Sequence, residues 1–496
     1  MPYSDYVLQT RQIADLYHSI AVLSWDKEVY LPVKGAAGRS RQIATLSGMA
    51  HEMSTSESYG DLLRKLNTDT TLGDLERRNI ALSLRNYNIA TRFSRDFVEK
   101  KSAIVNASYH AWLKGRKLKD FKVFQPHLRK VVDLAREEAE IIGYEDHPYD
   151  ALLDIYEKDL TVKRLEEVFG ALKPELHDML HQIRNAKQVS AACLAGTYST
   201  TVQMGYGEKI LQAMGYDFGA GRQDLAPHPF SISFGPGDQR VTTRVDERDL
   251  SYMLWSTIHE GGHALYEQGL PAELYGLPCG SAVSLGIHES QSRLWENHVG
   301  RSLDFWTHHY PAMQATYQHL QEVSLQDYYR AINRVSPGKI RTEADELHYH
   351  YHVLIRYEIE RDLIAGDLST DELHERWRDS YSDALGITID HDTEGILQDI
   401  HWSQGSIGYF PTYTLGSLYA AQFFDQACED LDDLPAQMRG GDTDALLGWL
   451  REKIHVHGQR YDAEDLCQRI TGKTLDASHF IRYARHKWSD IYDIKL

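Results

Sequence analysis

Several things are scarce in this sequence, and each scarcity narrows the reading. No apolar run in its 496 residues approaches the roughly 18 needed for a helix to cross a bilayer, so no helical membrane span is expected. There are four cysteines, Cys193, Cys279, Cys428 and Cys467. None shows paired CxxC spacing, which argues against a disulfide framework or a thiolate metal cluster and for free thiols in a reducing compartment. Only 14 prolines occur, which suits long, uninterrupted helices. Positive charge is also short: 53 basic against 72 acidic residues give a formal charge of −19. Such a field repels nucleic acid and anionic membrane surfaces, and neither is expected as a partner. The opening stretch MPYSDYVLQTRQ has neither the basic start nor the apolar core of a secretory signal, so a cytoplasmic location is expected.

What is present is mostly helical patterning. With 42% hydrophobic and 25% charged residues the composition is that of a globular chain. Leu165, Phe169, Leu172, Leu176 and Met179 step by three and four, a stripe that predicts a buried helix face, with Thr161 placed to cap it. Similar patterns fill 3–26, 73–142, 282–334, 341–364 and 413–430. One stretch reads as β: Phe230, Ile232 and Phe234 alternate, Gly235-Pro236-Gly237-Asp238 is turn chemistry, and Val241, Thr243 and Val245 alternate again. The hairpin either braces its neighbours or offers an edge strand to an extended peptide. No composition shift marks a boundary, so one mainly α domain spanning 1–496 is expected.

The segment Ser251 to Gly269 holds His259-Glu260-Gly261-Gly262-His263, an HExxH pattern. On a helix, positions i and i+4 share a face, so both imidazoles can reach one metal ion while Glu260 stands aside as a proton carrier. Asp246 is placed to cap this helix, Asp249 falls in its first turn and Gly269 suits its end. Gly261 and Gly262 each cost about 1 kcal/mol against Ala inside a helix, which predicts a close neighbour against the backbone. A catalytic zinc site needs a third protein ligand and an open position. Glu289 in His288-Glu289-Ser290-Gln291 is the candidate, with His288 as the rival.

The chain resembles the carboxypeptidase Taq family of zinc metallocarboxypeptidases. The resemblance is carried by His228-Pro229-Phe230, Asp238-Gln239-Arg240-Val241-Thr242, His259 to His263, His288-Glu289-Ser290-Gln291, Ile340-Arg341-Thr342-Glu343-Ala344-Asp345 and Gly395 to Trp402. Gly408 to Tyr413, Ser24-Trp25-Asp26 and 455–472 extend it to almost the whole chain. It implies a mainly α fold with a small sheet beside a deep groove, a homodimer, metal ligands at His259, His263 and Glu289, and a catalytic glutamate at Glu260. Zinc is the implied ion, with Co2+ able to substitute. It also puts His401, Tyr409 and Tyr413 near the groove as candidate oxyanion donors. The run Glu346 to His352 is richer in histidine than the family pattern, and His348 and His350 are expected to be solvated or stacked.

Exopeptidase action requires a group for the free terminal carboxylate, and a guanidinium binds one through two parallel hydrogen bonds. Arg341 is the first candidate and Arg356 the second; each can instead pair with an acid such as Asp345 or Glu358. Asp238 and Arg240 are expected to brace the hairpin. The expected activity is release of single C-terminal residues from peptides with broad specificity. An oligopeptidase or dipeptidyl carboxypeptidase on a similar scaffold is the alternative. A non-catalytic, zinc-stabilised binding protein is disfavoured, because a structural site needs four closed ligands and no base.

Overall fold

The computed structural model describes residues 2–496. Among these the chain forms twenty α-helices and one three-stranded sheet, so it is mainly α. No described helix is long and apolar enough to cross a membrane. The residues group into two compact units, one from Met1–Thr91, Ala191–Ile332 and Tyr419–Thr474, the other from Arg92–Ser190, Asn333–Leu418 and Leu475–Leu496. Each is assembled from three separate stretches of the chain.

In the first unit the helices Pro2–Val29, Glu57–Asn67 and Asp74–Ala90 enclose a core of Tyr6, Ile13, Tyr59, Leu63 and Ile80. The sheet lies in the order β1 (Gly221–Leu225), β3 (Gln239–Thr243), β2 (Ser231–Ser233). β2 and β3 form the expected antiparallel hairpin, Ser231 opposite Val241, while β1 runs parallel to β3. The sequence of β1, GRQDL, has no apolar alternation, which is why its pattern did not reveal it; the return strand also stops at Thr243, short of Val245. Arg240 pairs with Asp238 through two 2.9 Å bonds and lies over the rings of Trp25 and Phe234. The residues expected to brace the hairpin do so, and Trp25 of the Ser24-Trp25-Asp26 motif clamps it to the first helix.

β3 leads into the Ser251–Gly269 helix, against which it packs through Thr243, whose hydroxyl lies 3.2 Å from the Met253 carbonyl and 2.7 Å from the Ser256 hydroxyl. Asp246 does not cap this helix: its carboxylate takes the Arg248 amide, and Asp249 accepts from Ser251 N at 2.9 Å instead. The start is marked by the Asx turn nearer the first helical residue. The expected close neighbours of the two glycines are there. A Cβ on Gly262 would lie 2.7 Å from the Gln291 carbonyl oxygen and the Ser292 Cα, and one on Gly261 would meet the Leu211 side chain at 2.5 Å. The predicted helical stretch 282–334 is broken into Leu285–Arg293, a π-helical turn Leu294–Gly300, Leu303–Thr316 and Leu325–Ile332.

In the second unit the Val162–Asn185 helix is capped by Thr161 and buries Leu165, Phe169, Leu172, Leu176 and Met179 as its stripe predicts. The Glu346–Ala365 helix is capped by Asp345, which accepts from Leu347 N and His348 N. His348 pairs with Asp345 (2.6 Å), His350 with Thr414 (3.2 Å) and His352 with Tyr381 (2.9 Å), so the histidine run consists of packed, hydrogen-bonded side chains. These rings are buried rather than solvated.

Candidate active site

Helical spacing places His259 and His263 on one face of the Ser251–Gly269 helix. The Leu285–Arg293 helix, pressed against Gly262, brings in Glu289, whose Oε2 lies 3.6 Å from His259 Nε2 and 3.4 Å from His263 Nε2. Donor atoms of the three residues lie within 4.8 Å of one another, close enough to hold one metal ion. His288, the rival ligand, turns to a different task. Its Nδ1 meets His263 Nδ1 at 2.5 Å and its Nε2 meets Glu267 at 3.0 Å.

Those partners fix the tautomers. Glu267 accepts, so His288 carries its proton on Nε2 and offers the Nδ1 lone pair to His263; His263 Nδ1 then bears a proton and its Nε2 is free to ligate. Likewise Glu296 Oε2 lies 2.9 Å from His259 Nδ1, which turns the His259 Nε2 lone pair toward Glu289. Glu296 sits on the π-helical turn and is held by Arg293 (3.1 Å) and Arg301 (3.2 Å), while Arg293 Nε also grips Glu289 Oε1 at 2.7 Å. Two carboxylates thus balance two guanidiniums before any ion enters. Two Nε2 lone pairs converging on one carboxylate, with both rings oriented from behind, suit a divalent cation.

The electrostatics agree. Burial alone would raise the Glu289 carboxyl, but Arg293 and His259 outweigh it and hold it well below the ordinary range. Burial, with His288 alongside, lowers His263 to about 3, leaving it a neutral donor. Burial pulls His259 down as well, yet Glu289 and Glu296 outweigh it and raise the imidazole, an environment that favours positive charge at this point. Glu260, 9% exposed, is pushed up by burial against the pull of His259, and it takes a hydrogen bond from Ser231 on β2.

The remaining residues singled out from the sequence lie together in the second unit. Asp399 takes Arg341 on one oxygen (Nε 3.0 Å, Nη2 2.9 Å) and Arg356 on the other (Nε 2.7 Å). The two guanidiniums hold its carboxyl far below the ordinary range despite burial. Neither Asp345 nor Glu358 is the partner of either arginine; Glu358 pairs with Lys173. Arg356 is wholly enclosed, donating also to the His352 carbonyl and Tyr381. Arg341 donates to Tyr349 at 3.0 Å and lies over the Tyr413 ring. His401 Nε2 is 3.2 Å from Tyr413 OH, and its ring packs on Tyr409. Burial lowers His401 to about 4. Glu360, fully buried, pins the segment carrying these groups: it accepts from Trp402 Nε1 (2.6 Å), Gly408 N (2.8 Å) and Tyr149 OH (2.5 Å).

Pattern reading missed Glu267, Glu296, Glu360 and Asp399. Asp399 lay inside a quoted motif; the others carry no local signal, since a lone glutamate on a helix is the commonest of surface patterns.

A base-bearing HExxH helix closed by a carboxylate from the next helix defines the centre of a metallopeptidase. The model of the carboxypeptidase Taq (M32) metallopeptidases matches residues 6–488, and the chain belongs to that family. Thermostable carboxypeptidase 1 of Thermus thermophilus is 39% identical to it over 504 residues, 99% of each chain. Carboxypeptidase 1 of Bacillus subtilis is 35% identical over 485 residues, 97% of each. The crystal structure of an M32 carboxypeptidase from Deinococcus radiodurans superposes with a TM-score of 0.97 at 37% identity, covering 99% of this chain and 100% of that one. The protein is a metallocarboxypeptidase that uses a divalent metal and acts on peptides.

Proposed function

We propose that the enzyme releases single residues from the C-terminus of peptides with broad specificity, using zinc held by His259, His263 and Glu289. The observation that carries this is the approach of Glu289 Oε2 to both HExxH imidazoles, at 3.6 and 3.4 Å. Two imidazole nitrogens and one carboxylate oxygen are the donor set of catalytic zinc, which keeps a fourth position open; Co2+ can replace it. The ion, when bound, supplies Lewis acidity that lowers the pKa of water toward about 7 and polarises the scissile carbonyl. Glu260 takes the proton of the attacking water and passes it to the leaving amine nitrogen; its burial, which raises its proton affinity, suits it to both steps. His401, Tyr409 and Tyr413 serve as donors to the developing oxyanion.

Arg341 binds the terminal carboxylate. The two guanidiniums on Asp399 exceed its charge by one, and Arg341, 5% exposed against none for Arg356, is the more accessible of the two. The four free cysteines support a cytoplasmic location, and the family resemblance supports a homodimer.

The test is a mass-spectrometric time course on a peptide of about eight residues with zinc, beside its C-terminally amidated copy. A ladder losing one residue at a time from the free acid, with the amide resistant, is expected. Internal cuts in both peptides would replace this reading with an oligopeptidase, and removal of pairs with a dipeptidyl carboxypeptidase.

A further inference from the structure

Glu360 lies on the Glu346–Ala365 helix with no exposed surface, and its three hydrogen-bond partners, Tyr149, Trp402 and Gly408, are all neutral. A buried carboxylate without a cation bonded to it is costly, and burial accordingly raises this carboxyl to about 7. Filling space does not explain that cost, since an apolar side chain would do it better. The direction of the bonds does. Trp402 Nε1 and the Gly408 amide can only donate, and they sit on different oxygens, Oε1 at 2.6 Å and Oε2 at 2.8 Å. A carboxylate accepts on both sides. A glutamine in its place has one acceptor and turns its NH2 against the other donor.

The two donors flank one loop. His401 immediately precedes Trp402, and Tyr409 immediately follows Gly408. Between them the chain closes on itself: Ser406 N donates to the His401 carbonyl at 3.0 Å, and Gly405 and Gly408 take φ of +75° and +99°. A Cβ on Gly408 would lie 2.8 Å from the Leu152 carbonyl oxygen, so this end of the loop is pressed on the Pro148–Tyr156 helix. Tyr156 of that helix meets the Tyr409 ring edge-on with centroids 5.2 Å apart, and the His401 and Tyr409 rings are also 5.2 Å apart. One carboxylate therefore ties the two ends of the loop together, one residue inside each of the side chains assigned to the oxyanion.

We propose that Glu360 is a positioning residue for the reaction, setting the spacing of His401 and Tyr409 by holding Trp402 and Gly408 on its two oxygens. The assignment rests on the reading of those two side chains as oxyanion donors and deepens it. Such donors act at about 2.7–3.1 Å from the developing charge, and the groups that carry them must be held to within about 0.5 Å. Loss of the clamp is felt in the transition state and not in ground-state binding, so kcat falls and KM does not.

The test is steady-state kinetics of the zinc-loaded enzyme at pH 8, with thermal melts of each variant. Glu360→Gln should lower kcat at least about tenfold, with KM within about twofold. Trp402→Phe opens the clamp from the other side without touching the carboxylate and should do the same. Tyr149→Phe is the structural control: it removes the third bond to Glu360 and spares both clamp bonds, so it should lower the melting temperature and keep kcat within about twofold. In a Tyr409→Phe background, itself impaired in kcat, Glu360→Gln should cost at most about threefold more. Native kcat in folded Glu360→Gln, or in Trp402→Phe should the first variant not fold, would overturn the proposal. An equal loss in Tyr149→Phe, or full multiplication of the losses in the double variant, would overturn it in favour of a purely structural acid. Native kcat in Tyr409→Phe would remove the donor reading and the proposal with it.

Discussion

Gly262→Ala should weaken metal binding although residue 262 touches no ion. Helix propensity alone favours the change by about 1 kcal/mol. Its Cβ, however, would lie 2.7 Å from the Gln291 carbonyl oxygen and the Ser292 Cα and 3.1 Å from the Gln291 carbonyl carbon. All three are backbone atoms, so no rotamer change relieves them. Ordinary contact begins at 3.4 Å, so the Leu285–Arg293 helix must retreat by about 0.7 Å or more, at a cost of about 1–3 kcal/mol. Glu289 lies two residues before Gln291 on the same helix and retreats with it. Metal–ligand distances tolerate only about 0.2 Å, so zinc affinity should fall by at least about tenfold, and by about a hundredfold if the carboxylate cannot follow. Gly261→Ala is the internal control, because its Cβ meets the end of the Leu211 side chain and the flexible Met214. It should cost stability and leave zinc affinity within about threefold. Chelator competition gives the zinc Kd of both variants and thermal melts give their stability. Native affinity in a folded Gly262→Ala protein would refute the claim that this helix contact sets the third ligand.

Three further outcomes follow from the same geometry. Glu260→Gln should retain zinc while kcat falls by about 10²–10⁴; turnover at the native rate would remove it as the base. Glu296→Gln leaves Arg293 and Arg301 facing one carboxylate instead of two and should weaken zinc binding by about 10–100-fold; an unchanged Kd would show that His259 needs no orienting carboxylate. Burial raises Glu360 to about 7, above its ordinary 4.5, so the folded state binds the extra proton between those values. Its contribution is present in full below pH 4.5 and is lost as pH rises through 7, by about 3 kcal/mol. Urea midpoints at pH 5 and pH 8 should therefore differ less in Glu360→Gln than in the native enzyme, and parallel shifts would refute the assignment.

Local periodicity determined a large part of this protein. The four-residue step from His259 to His263 puts both rings on one face of any helix, and a stripe such as Leu165 to Met179 must be buried wherever that helix packs. The paired glycines signalled a close backbone neighbour because nothing else repays their cost inside a helix, and Gly235 to Asp238 announced the turn between β2 and β3. The choice between Glu289 and His288 was open in the sequence, since adjacent residues on one helix differ by about 100° in direction and only packing decides which faces the metal helix. Tertiary structure brought the Glu289 carboxylate to 3.4 Å from His263 Nε2 and turned His288 behind that ring. It alone placed Glu296, because a π-helical turn changes which residues face inward without leaving a pattern that a 3.6-residue period can register. It alone paired β1 with β3 and joined Arg341 and Arg356 on Asp399, partners separated by up to 58 residues. Spacing within one turn is fixed by helix geometry and can be read from the sequence. Contacts across such separations are fixed by how faces pack, and they become visible only in the folded chain.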